Sequence, residues 1–123
     1  EQRGVGGLFF DDWTRDGFDA SFAFAQAIGE HFLAAYRPIV ERRRNTAWNE
    51  EQETWMLIRR GRYAEFNLAI DRGTRYGLQS GRRVENVLAS LPPRVMWVYD
   101  HHPAPGSAEE RLLTEFLVPR DWV

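Results

Sequence analysis

The chain has 123 residues, of which 43% are hydrophobic, 14% aromatic and 28% charged. That size suits one domain, and that much apolar and aromatic surface excludes a disordered segment. No apolar run reaches the ~18–20 residues of a membrane-spanning helix, and no basic-then-apolar leader opens the sequence. Cysteine is absent, which excludes disulfides, iron–sulfur clusters and thiolate chemistry and fits a cytoplasmic location. The formal net charge is −2, and all 16 basic residues are Arg, with no Lys. Residues 59–83 hold seven Arg against Glu65 and Asp71, a local charge of +5 that leaves −7 on the rest of the chain. A basic segment in an acidic host is a candidate anion site.

In chain order, Gly4 to Phe10 read as a strand that begins in glycines and ends at Asp11-Asp12. Residues 19–43 are predicted as the longest helix, with Phe18, Phe22, Ala25, Ile28, Phe32, Ala35 and Ile39 recurring every three or four positions. Asp19 is its expected N-cap, Pro38 its expected kink or interruption, and Arg42, Arg43 and Arg44 lie where cations favour a helix end. Asn49, followed by three acidic residues, caps a second predicted helix that stops near Arg60-Gly61. Residues 62–70 alternate, Ala64, Phe66, Leu68 and Ile70 against Tyr63, Glu65, Asn67 and Ala69, and predict a strand with one apolar face. Asp71-Arg-Gly-Thr74 is a turn signal, followed by a short element over 75–79. Ser80-Gly81 opens a loop and a helix to Leu91, and residues 94–99 read as a further strand. A Pro/Gly turn over 103–106 leads to Ser107, which with Glu110 forms a capping box for a last helix through about Phe116. No repeat or low-complexity tract is present. The mixture predicts an α+β fold with antiparallel pairing.

Motifs of known chemistry are few. His31, His101 and His102 lack metal-ligand spacing, and the absence of Lys rules out a Walker-type phosphate loop. No Gly-x-Ser-x-Gly elbow gives Ser21, Ser80, Ser90 or Ser107 the setting of a nucleophile. A sequence pI near 5.9 argues against a nucleic-acid surface. The arginines remain. A guanidinium pairs two-on-two with a carboxylate and stays charged at working pH. Arg62, Arg72, Arg75, Arg82 and Arg83 either converge on a polyanionic ligand or are surface charges paired with distant acids; the pattern alone allows both.

Several long words stand out: Arg3-Gly-Val-Gly-Gly-Leu-Phe-Phe-Asp-Asp12, Leu57-Ile-Arg-Arg-Gly-Arg-Tyr-Ala-Glu-Phe-Asn-Leu68, Asp71-Arg-Gly-Thr-Arg-Tyr-Gly-Leu78, the run from Ser80 to Pro92, and Pro119-Arg-Asp-Trp-Val123. They resemble the signatures of oxygen-dependent coproporphyrinogen III oxidases. They span residues 1–123 in the family's order, and the chain is expected to be the C-terminal portion of a single coproporphyrinogen oxidase domain. The resemblance implies a flat antiparallel sheet flanked by helices, a homodimer formed through the Tyr63–Trp97 region, and no membrane span or nucleic-acid partner. It implies oxidative decarboxylation of coproporphyrinogen III to protoporphyrinogen IX in haem biosynthesis, with molecular oxygen as co-substrate. No cofactor is expected within this chain, and a divalent metal, where the family uses one, falls on histidines outside it. The isolated piece is expected to be inactive. Arg3, Arg72, Gly81, Arg82 and Arg83 are the implied substrate-binding residues. Arg82 stands where the family usually carries the middle glycine of Gly-Gly-Arg. Asp71 is the candidate catalytic carboxylate, as base or orienter at a pyrrole nitrogen; a turn-capping Asp is the equal alternative. The competing reading of the whole chain is a non-catalytic, dimerising, anion-binding fragment.

Overall fold

The computed structural model describes residue 8 and residues 10–119. The elements are α1 (Gly17–Arg43), α2 (Glu50–Ala69), α3 (Arg72–Gln79), α4 (Val84–Val87) and α5 (Ala108–Arg111). The last runs into a π-helical turn at Leu112–Phe116. Among the described residues there is no strand, so the expected α+β fold with a flat antiparallel sheet is not what the chain forms. The Gly4–Phe10 strand lies largely outside the described residues, and its described members Leu8 and Phe10 are in no regular element. The chain divides into two compact units, Gly7–Trp48 and, in the main, Asn49–Val123.

The first unit is α1 with the segment before it. Its N-cap is Asp16, in the left-handed region at φ 63°, rather than the expected Asp19, which lies in the first turn. The Ser21 hydroxyl donates to the Gly17 carbonyl at 2.8 Å. Phe24 meets Phe10 edge-on at 5.3 Å and Trp13 at 4.6 Å, so two aromatic residues of the leading segment are held to the helix. Pro38 cannot donate to the carbonyl four residues back, yet the helix continues past it to Arg43. No residue of α1 is buried: Phe18, Phe22, Phe32 and Leu33 all expose 60% or more of their surface.

The second unit is built on α2. Asn49 and Gln52 form a reciprocal capping box, the Asn49 side chain accepting from the Gln52 N–H at 2.9 Å and the Gln52 side chain from the Asn49 N–H at 3.0 Å. Glu50, Glu51 and Glu53 complement the helix dipole there. The helix does not stop at Gly61 but runs to Ala69, so the predicted strand over 62–70 is helix instead. Leu57, Ile58, Gly61, Ala64 and Asn67 are its buried residues, spaced by one, three, three and three. The same stretch therefore satisfies a two-residue and a helical period, and packing selects the helical one. Asn67 turns its amide back to the Tyr63 carbonyl at 2.8 Å, and Arg62 bonds Glu65 one turn on at 2.7 Å.

Gly61 has a tertiary role. A Cβ there would lie 2.5 Å from the Met96 carbonyl oxygen, so only glycine admits that backbone. The Met96 N–H in turn donates to the Leu57 carbonyl at 3.0 Å. Residues 94–99, predicted as a strand, thus strap α2 with one hydrogen bond and pair with no strand. The helix predicted from Ser80 to Leu91 shrinks to the four residues of α4. Val87 of α4 sits against Gly77, where an added Cβ would meet its methyl carbons at 3.0 and 3.2 Å. At the C-terminal end the expected cap holds: Ser107 accepts from the Glu110 N–H at 3.1 Å, while the Glu110 carboxylate accepts from the Gly106 N–H at 2.6 Å.

Candidate anion site around the third helix

Asp71 begins the site. Its Oδ2 accepts the Thr74 N–H at 2.7 Å, making it the N-cap of α3. The Asp71 N–H itself closes onto the Phe66 carbonyl at 2.9 Å, so the chain passes from α2 into α3 across one residue pair. What reads as a turn signal is a helix start, for the same reason: a short carboxylate satisfies an N–H that no helical carbonyl reaches.

Arg72, Arg75 and Tyr76 then follow at i, i+3 and i+4, which puts them on one face of α3. That face is opposite buried Gly77, which packs on α4. All three are exposed. Ser80 is the C-cap of α3, its N–H donating to the Tyr76 carbonyl at 2.9 Å. Gly81 follows at φ +73°, the left-handed geometry that ends a helix and reverses the chain. The positive φ falls on Gly81 and not on Arg82, so an arginine at position 82 carries no left-handed strain. The reversal brings the Arg82 guanidinium over the Tyr76 ring, 5.8 Å from its centre.

Arg72, Arg75 and Arg82 make no ion pair among the described residues. Arg83 reaches Glu85 only at 3.9 Å, with both side chains 78% exposed, a contact of little energetic weight. Of the sequence candidates, then, the structure gathers Asp71, Arg72, Gly81, Arg82 and Arg83 around α3, with Arg72 and Arg82 attached to opposite ends of a helix about 12 Å long. Arg3 lies outside the described residues. Arg75, one of the arginines expected to converge, joins the group, and so does Tyr76, which sequence reasoning missed. The i, i+3, i+4 spacing of Arg72, Arg75 and Tyr76 could have placed Tyr76 on that face, though not against Arg82.

The other arginines of the basic segment sit on α2. Arg62 lines a cleft of about 620 Å³ with Ile58 and residues 96–100. Arg59 and Arg60 line another of about 490 Å³ with Met56, Tyr63, Ser90 and Pro92. The Arg59 guanidinium lies 5.7 Å from the Trp55 ring centre. Among the described residues no group of three His, Cys, Asp or Glu side chains stands close enough to hold a metal ion. His31 bonds the Ala27 carbonyl at 2.7 Å, His102 pairs with Asp100 at 3.0 Å, and His101 packs 5.7 Å from Trp55.

Around α3, then, stand the exposed Arg72, Arg75 and Arg82 guanidinium groups, with no ion pair among the described residues, and a carboxylate fixed at the helix's head. The family model for coproporphyrinogen III oxidase matches residues 1–122, and the chain belongs to that family. The family comprises oxidoreductases of porphyrin and haem biosynthesis, and membership implies coproporphyrinogen as the substrate. No helix among the described residues is long and apolar enough to cross a membrane.

Proposed function

We propose that this chain serves the oxygen-dependent oxidative decarboxylation of coproporphyrinogen III to protoporphyrinogen IX, and that Arg72, Arg82 and Arg83, with Arg75, grip the substrate's propionates. The observation that carries this reading is the set of exposed guanidinium groups around α3, of which Arg72, Arg75 and Arg82 make no ion pair among the described residues and Arg83 only a long one, in a chain of the coproporphyrinogen oxidase family. A tetrapyrrole with four acid arms needs several cations at its rim, and guanidinium forks match carboxylates in shape and stay charged throughout the working pH range. Each vinyl group forms when a propionate loses carbon dioxide and a hydride equivalent from the carbon next to the ring. Molecular oxygen accepts that hydride and a proton and leaves as hydrogen peroxide. The hydride takes the C–H electron pair, and the breaking bond to carbon dioxide supplies the pair of the new double bond. The electron-rich pyrrole stabilises the cationic carbon between the two steps, so the protein's part is to orient the substrate; positioning is worth up to about 7–11 kcal/mol of a barrier.

Asp71 fits this scheme as the carboxylate facing a pyrrole N–H, although one of its oxygens already serves the α3 cap. Arg3 joins the propionate-binding set in the same reading, and Gly81 supplies the bend that presents Arg82 and Arg83. The active form is a homodimer joined through the Tyr63–Trp97 region, where Leu68, Ile70 and Trp97 leave large apolar surfaces exposed. The setting is the cytoplasm, consistent with a chain free of cysteine.

The test is Arg72→Ala in the active enzyme that contains this chain, assayed by oxygen uptake with coproporphyrinogen III. Most of the turnover is expected to be lost. Near-wild-type turnover overturns the role given to Arg72.

A further inference from the structure

We infer that Tyr76 is a positioning residue of the anion site: its ring is the platform that holds the Arg82 guanidinium in place for a substrate carboxylate. The inference rests on the function proposed above and adds a residue to it. Three observations converge. The Arg82 guanidinium lies 5.8 Å from the Tyr76 ring centre, within the range of a cation–π contact. Arg82 has no carboxylate partner among the described residues, so the ring is the group that restrains it. Tyr76 shares its helix face with Arg72 and Arg75, so the guanidinium it holds stands on the side of α3 where two other cations already are, neither ion-paired among the described residues.

The physical gain is entropic. A free arginine side chain has rotamer entropy to lose on gripping a ligand. Resting the guanidinium on an aromatic face removes part of that freedom before the ligand arrives, and a ring, which accepts no conventional hydrogen bond at its rim, leaves guanidinium N–H groups available to a carboxylate. The phenolic hydroxyl has no part in this. Tyr76 is 63% exposed, so changing it removes no core packing.

The experiment uses the active enzyme and two probes: coproporphyrinogen III in steady-state kinetics, and coproporphyrin III, its fluorescent oxidised form, in equilibrium binding. Tyr76→Leu is expected to raise KM and weaken coproporphyrin binding by about threefold, the size of an exposed cation–π contact, with kcat held. Tyr76→Phe is expected to match wild type. Arg82→Gly is expected to weaken binding at least as much, and adding Tyr76→Leu to it should cost nothing more. A Tyr76→Leu enzyme that binds both probes like wild type overturns the inference, as does a Tyr76→Phe enzyme as weak as Tyr76→Leu, or additive losses in the double variant. Failure of the unaltered enzyme to prefer coproporphyrin III over its tetramethyl ester overturns the underlying carboxylate-binding reading instead.

Discussion

Asp71 does two jobs in one scheme, and they can be separated. Its carboxylate caps α3 through the Thr74 N–H, and the proposed chemistry asks the same group to face a pyrrole nitrogen. Serine caps a helix about as well as aspartate but brings no negative charge. Asp71→Ser is therefore expected to leave the melting temperature near wild type while lowering turnover. Asp71→Ala should lose both, with about 1 kcal/mol of stability gone with the cap. Thermal melts alongside oxygen-uptake assays distinguish the cases: unchanged turnover in the serine variant reduces Asp71 to a cap. The capping role was legible in the sequence, because an Asp before Arg-Gly-Thr satisfies a backbone N–H whether the residues after it turn or wind into a helix. Tyr76 was not legible in the same way. Its contact with Arg82 depends on the chain reversing at Gly81, and a reversal's direction is not written in residue spacing.

At the scale of elements, α2 and the strap over residues 94–99 are locked by one missing Cβ. Gly61→Ala places a methyl group 2.5 Å from the Met96 carbonyl oxygen, which is backbone and cannot rotate away. The ordinary benefit of alanine in a helix, up to about 1 kcal/mol, is then outweighed by overpacking that costs about 1–3 kcal/mol. Gly61→Ala is expected to lower the denaturant midpoint, and a raised midpoint would show that the strap is not held there. The helix starts were readable from local chemistry: Asn49 with Gln52, and Ser107 with Glu110, satisfy N–H groups within three residues of themselves. The end of α2 was not, because Gly61 looks like a helix stop when its reason is a residue 35 positions away. Residues 94–99 carry strand-like side chains, but a strand exists only where a neighbour supplies a ladder. Among the described residues, the one backbone partner here is a helix carbonyl.

For the molecule as a whole, the long helix α1 is amphipathic in sequence yet buries nothing. Phe18 and Phe22 stack on each other at 6.1 Å, and Phe32 on Tyr36 at 5.8 Å, in full view of solvent. Exposed apolar faces of this kind bind hydrophobic dyes and promote association. The chain on its own is expected to enhance the fluorescence of an apolar dye, and replacing Phe18, Phe22 and Phe32 together by Ser should abolish most of that signal. Unchanged fluorescence in the triple variant would assign the dye to another surface. The stripe was legible as a helix because its period is local. Its lack of cover was not, since burial depends on what stands opposite.

Because every cation around α3 is a guanidinium, the site's charge is fixed by the genetic code. Acetylation, ubiquitin conjugation and amine-directed crosslinkers all require a primary amine, and the side chains of this protein offer none. Enzymes that silence lysines have nothing in this chain to write on, so covalent control of the proposed grip on acids has to fall on a guanidinium or a neighbouring hydroxyl.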